Sequence, residues 1–101
     1  MSKVVMMDAP GAASVMTVRN VEVGKPGPGQ ARVRHHAIGL NYIDIYQRSG
    51  VYPLPQYPAA LGMEGSGVVE EVGAGVTHVK VGDRVAYAGQ PPGAYCEVRN
   101  L

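Results

Sequence analysis

The chain has 101 residues, enough for one small domain and no more. Nine basic against eight acidic residues leave a formal charge of +1, which argues against the clustered basic stripe of a nucleic-acid surface. No apolar run approaches the roughly 20 residues of a membrane span, and the segment from Met1 to Asp8 lacks the apolar stretch of a signal peptide. One cysteine, Cys96, leaves no internal disulfide framework and fits a reducing compartment, so the expectation is a soluble cytoplasmic protein. Fourteen glycines, eight prolines and six tyrosines accompany no phenylalanine or tryptophan. The core must therefore be aliphatic, and some tyrosines, whose hydroxyls need partners, are expected to line a wet cavity.

Lys3 to Met7 reads as a first strand, ended by the turn residues Asp8 to Gly11. Val15 to Val23 alternates with apolar groups on both faces, as near a barrel or a two-layer packing. Gly24 to Gly29 reverses the chain, and Ala31 to Leu40 forms the next strand. At Asn41 the spacing changes: Tyr42, Ile43, Ile45 and Tyr46 recur at three and four, and Asn41 can cap the first turn. This predicts one short helix ending at Ser49-Gly50. Three prolines between Val51 and Pro58 then force an extended loop. Leu61 to Gly73 reads as a glycine-rich strand, followed by Val76 to Val79, Arg84 to Tyr87 and Ala94 to Val98. Turn signals recur roughly every eight to twelve residues, the spacing of a mainly β barrel or sandwich.

The central stretch is Leu61-Gly-Met-Glu-Gly-Ser-Gly-Val-Val-Glu-Glu-Val-Gly73. Gly62, Gly65, Gly67 and Gly73 read as bends or close approaches in a strand, and neither Gly65-Ser-Gly67 nor Gly73-Ala-Gly75 completes Gly-x-Gly-x-x-Gly. Glu64 in such surroundings is a poor candidate for a solvated charge. His35 and His36 are neighbours on a strand, face opposite ways and cannot share an ion. His78 and Cys96 stand alone, so no metal site is expected. Asn41, Asp44 and Arg48 fall three and four apart on the helix, and spacing alone favours a cap plus a surface Asp44–Arg48 pair.

Gly39-Leu-Asn-Tyr-Ile-Asp-Ile-Tyr-Gln-Arg-Ser-Gly50, the stretch Leu61 to Gly73, and Val81-Gly-Asp-Arg-Val85 together resemble the N-terminal domain of the medium-chain dehydrogenase/reductase superfamily. Asn41-x-x-Asp44, the run Arg48-Ser-Gly-x-Tyr-Pro and the exit to Gly93-Ala-Tyr95 resemble its zinc-independent quinone oxidoreductases, the zeta-crystallin branch. Zinc alcohol dehydrogenases of this superfamily carry a ligand cysteine where Asn41 stands and a ligand histidine where Met63 stands. Neither Asn nor Met suits Zn²⁺, and the four-cysteine lobe that follows Gly-Asp-Arg-Val in those enzymes has no counterpart before Gly93.

The resemblance implies a GroES-like, partly open barrel with short helices over residues 1–101, the catalytic domain, joined in a full-length enzyme to a Rossmann domain that binds NADPH. The chain ends at Leu101, before such a segment begins, so it reads as a piece of a longer protein; the segment alone is not expected to be active. In the family the chain also returns to this domain after the Rossmann fold, which leaves its completeness open. Asn41, Tyr46 and Tyr52 match cleft-lining, catalytic positions, and Asn41, Asp44 and Arg48 match positions beside the cofactor. Gly62, Glu64, Gly67, Gly73, Gly82 and Asp83 match structural positions, with Glu64 at the cleft floor. The implied activity is reduction of a quinone-like acceptor by NADPH without metal, in a homodimer that uses neither nucleic acid nor membrane. Two other readings stay open: a zinc-free enoyl or alkenal reductase, and a non-catalytic barrel serving as a structural or interaction module.

Overall fold

A computed structural model describes residues Met1–Leu101. In chain order the elements are β1 (Ser2–Met7), a 3₁₀ turn (Ala13–Val15), β2 (Thr17–Val21), β3 (Ala31–Ile38), α1 (Tyr42–Ser49), β4 (Ala59–Ala60), β5 (Glu64–Val72), β6 (Arg84–Ala88) and β7 (Val98–Asn100). The strands form two antiparallel sheets, ordered β2-β1-β4 and β6-β5-β3-β7. The fold is mainly β, as the turn spacing predicts, and its strands form open sheets. No helix is long and apolar enough to cross a membrane.

The aliphatic core follows from the composition. Met7, Val33, Leu61, Val69, Ala94 and Val98 are buried from both sheets and the segments between them. The sheets meet where the strand expected over Ala94 to Val98 is instead mostly irregular. Its backbone is spent on two partners at once: Tyr95 N–H donates to Leu61 O at 2.9 Å, and Val5 N–H donates to Tyr95 O at 2.9 Å. Only a single bridge, Val4 with Cys96, forms there, and regular pairing begins at Val98.

Other expectations also need correction. Val76 to Val79 is no strand, because after the turn at Gly73 the backbone runs directly to the Lys80–Asp83 turn. Residues 13–15 form a 3₁₀ turn, so β2 begins at Thr17. The two-residue β4 is too short to leave a pattern in sequence; it exists because Met6 and Met7 offer it an edge.

The glycines of β5 act mainly by letting other backbone approach closely. Gly65, Gly67 and Gly73 have no positive φ; in this stretch only Gly62 does, at +104°. A Cβ on Gly67 would fall on the Arg34 carbonyl, and one on Gly73 on the Gly27 carbonyl. They let strands and turns touch, which a bend alone would not require.

Candidate active site

Helix α1 is built inside out. Its buried residues are the polar Asp44 and Gln47, 4% and 3% exposed, while Tyr42, Ile45 and Tyr46 face outward at 77%, 44% and 40%. A helix held only by hydrophobic packing would have the reverse pattern. The capping is local: Asn41 N–H donates to Asp44 Oδ2 at 3.1 Å, and Gly50 closes the far end in the left-handed region at φ 92°.

Beneath the helix the polar side chains find few partners. Tyr95 O–H donates to Asp44 Oδ2 at 2.5 Å, and Gln47 Nε2–H points to Met63 Sδ at 3.7 Å. Asp44 Oδ1 and Gln47 Oε1 are buried with no partner. Burial first, then the hydrogen bond to the Asp44 carboxylate, push the Tyr95 phenol well above its ordinary value of 10.0. The phenol therefore stays protonated and donating.

The surface Asp44–Arg48 pair expected from spacing does not form. Asp44 turns inward, and Arg48 Nε donates to Gly11 O at 3.2 Å while Gly11 N–H donates back to Arg48 O at 2.9 Å. Arg48 thus ties the end of α1 to the loop after β1. Asn41 remains exposed, as do Tyr46 and Tyr52. Those two rings meet edge to face at 5.4 Å and 82°, and Tyr52 N–H donates to Tyr46 O at 3.1 Å. At the start of the helix Leu40, Asn41, Tyr42, Ile45 and Tyr95 line a cavity of about 260 Å³.

A second cavity of about 550 Å³ lies where β3, β5 and β6 meet, lined among others by Ile38, Gly39, Glu64, Gly65 and Tyr87. It includes none of Asn41, Tyr46 or Tyr52; the smaller cavity includes Asn41, and Tyr46 and Tyr52 line neither. Glu64 corrects an expectation: the residue is exposed, and its carboxyl end lies over Gly39 at the lining of the larger cavity. Gly82 and Asp83 belong to a turn far from this chemistry. Asp83 carboxylate oxygens accept from Lys80 N–H at 3.0 Å and Lys80 Nζ at 2.9 Å, which lowers the Asp83 pKa from its ordinary value.

The structure thus leaves Asn41, Tyr46 and Tyr52 exposed, packs the Tyr46 and Tyr52 rings together, sets Asn41 at the smaller cavity and buries Asp44. It adds two residues that sequence reasoning did not single out as site residues, Gln47 and Tyr95. Tyr95 lies more than fifty positions from Asp44, so only the tertiary fold could pair them; Gln47 was legible as the residue three after Asp44. His35 is engaged in hydrogen bonds of its own: Nδ1–H donates to Cys96 O at 2.9 Å, and Nε2 accepts from the Tyr87 hydroxyl at 2.7 Å. No group of three or more His, Cys, Asp or Glu gathers as metal ligands would.

Comparison with known proteins matches residues 27–100 to the alcohol dehydrogenase GroES-like domain. Quinone oxidoreductase of Pseudomonas aeruginosa is 52% identical over the whole chain, which spans 31% of that protein's length. A crystal structure of Escherichia coli quinone oxidoreductase complexed with NADPH superposes with a TM-score of 0.95 at 40% identity, over 98% of this chain and 30% of that one. A 2-haloacrylate reductase of Burkholderia sp is 50% identical over 82 residues, 78% of this chain and 25% of that protein.

Proposed function

The chain belongs to the alcohol dehydrogenase GroES-like domain family of medium-chain dehydrogenase/reductases, and from that premise we propose that it is the N-terminal part of a zinc-independent, NADPH-dependent quinone oxidoreductase. The observation that carries this reading is the inverted helix. A small chain with no phenylalanine or tryptophan leaves Tyr42, Tyr46 and Tyr52 at 77%, 40% and 54% exposure on the outward side of α1 and the loop after it, with Tyr42 beside Asn41 at one cavity and Tyr46 against Tyr52. Such a face suits a flat conjugated ring: the aromatic faces stack on it, and hydroxyls and amide meet its oxygen atoms.

NADPH, when bound, supplies the hydride. The residues here fit a supporting part: Asn41, exposed at the helix start, would hold an amide or carbonyl oxygen by hydrogen bond. The Tyr46 and Tyr52 hydroxyls would donate to oxygen atoms of the acceptor as negative charge grows on them. Asp44 is placed to act from behind Asn41, and Arg48 to hold the helix end against Gly11; neither reaches the surface face directly. For Zn²⁺ the donor set does not fit. Asn41 and the buried thioether of Met63, which faces the Gln47 amide, stand where cysteine and histidine would be needed. A cytoplasmic location belongs to the same proposal, supported by one buried, unpaired thiol.

In the full-length protein Tyr52→Phe should lower kcat for quinone reduction about tenfold, with a smaller change in KM, since a hydrogen bond made chiefly in the transition state is lost. Unchanged kcat would remove the hydroxyl from the mechanism. The similarity to a 2-haloacrylate reductase supports a second reading, reduction of an activated alkene by the same cleft.

A further inference from the structure

We propose that Tyr95 is a positioning residue for the cleft: through the buried Asp44 carboxylate it sets where Asn41 stands. The proposal rests on the reading of Asn41 as a cleft residue. One oxygen, Asp44 Oδ2, accepts both the Tyr95 O–H at 2.5 Å and the Asn41 N–H at 3.1 Å. It therefore joins the helix start to a residue 51 positions further along the chain.

Tyr95 makes a firm post. Its N–H donates to Leu61 O and its carbonyl accepts from Val5 N–H, so its backbone is held from both sides where the sheets meet. Gly62 packs flat against it: a Cβ there would come within 2.6 Å of the ring and 2.7 Å of Tyr95 N. A different residue at position 62 would move the ring, and with it the phenol that reaches Asp44.

The choice of a carboxylate needs explaining. Asp44 is 4% exposed and is paired with no cation, Arg48 being engaged elsewhere. A buried unpaired carboxylate is unfavourable, and its Oδ1 lacks any partner. A neutral cap would hold the first turn of α1 with less penalty. What a carboxylate adds is negative charge on the shared acceptor, so that both hydrogen bonds, to the Tyr95 post and to the Asn41 backbone, are charge-assisted and stronger than neutral ones. Rigidity at a residue that orients ligand is worth having where ångström-scale displacement slows reaction strongly.

The test is a double-mutant cycle in the full-length protein, read as kcat/KM for NADPH-dependent reduction of a quinone. Tyr95→Phe and Asn41→Ala should each lower kcat/KM about tenfold, the equivalent of one hydrogen bond, and the double variant should fall no further than Asn41→Ala alone. Asp44→Asn, a milder change that keeps one acceptor oxygen, should repeat this non-additivity if Tyr95→Phe is poorly folded. Multiplying effects would mean that Tyr95 acts independently of Asn41, for instance by touching ligand in their shared cavity, and would overturn the proposal. Wild-type kinetics with a lowered melting temperature in Tyr95→Phe would overturn it too, leaving a structural tie only. If Asn41→Ala itself keeps wild-type kinetics, the cleft reading of Asn41 fails first; additivity on top of an impaired Asn41→Ala sinks only the positioning role.

Discussion

The backbone of Gly67 lies flush against the Arg34 carbonyl, with no space for a Cβ between β5 and β3. Backbone on both sides cannot give way as a side-chain end could. Gly67→Ala in the full-length protein should therefore cost about 3 kcal/mol of stability. Gly75→Ala is the control: its φ is +80° and the space around it is open, so the cost is backbone strain alone, about 1 kcal/mol. Urea unfolding of the two variants should separate them clearly. Equal losses would mean that close approach is not what keeps glycine at position 67.

That contrast marks how far the fold was legible. Alternation and turn chemistry located β1, β3, β5 and β6 within a few residues, and the Asn41 cap with Gly50 bounded α1 at both ends. These are local signals. Legibility failed where tertiary partners decide: at Ala94 to Glu97, whose hydrogen bonds are divided between two neighbours, at the two-residue β4, and at Val76 to Val79. At the site, spacing put Asn41, Asp44 and Arg48 on related faces but could not say which face was inside. The resemblance singled out Asn41, Tyr46 and Tyr52; the fold leaves all three exposed and pairs the two rings, with Asn41 at a cavity that neither ring lines. The same resemblance included Tyr95 in the exit motif Gly93-Ala-Tyr95 but gave it no role.

Alkaline pH should weaken the fold in a defined window. Burial raises the Cys96 thiol above its ordinary value of 9.0, and the Tyr87 and Tyr95 phenols above 10.0. Above those values the unfolded chain has released protons that the folded chain still holds, so stability falls as pH rises. The urea midpoint should be flat up to about pH 9 and drop beyond it. Tyr95→Phe should flatten part of that drop. The same burial predicts that Cys96 reacts with iodoacetamide at neutral pH only on unfolding. Fast labelling of folded protein would contradict it.

Met63 is a packing residue in this account, buried with its thioether facing the Gln47 amide. Met63→Leu, close in volume, should cost less than about 1.5 kcal/mol and leave quinone reduction within a factor of two or so. Exhaustive dialysis of the full-length protein against a zinc chelator should leave the rate equally untouched. Activity lost to the chelator and restored by Zn²⁺ would overturn the zinc-independent reading.

The most direct measurement is NADPH oxidation by the full-length protein, compared between a quinone series and α,β-unsaturated carbonyls, including a 2-haloacrylate, at matched concentrations. The exposed rings of Tyr42, Tyr46 and Tyr52, with Asn41 at the helix start, are suited to a flat substrate ring bearing oxygen at its edge. The account predicts kcat/KM at least tenfold higher for the quinones, a preference worth about 1.4 kcal/mol in transition-state binding. A preference of that size for the alkenes would make the chain part of an alkene reductase instead, and no turnover with either would contradict the account outright.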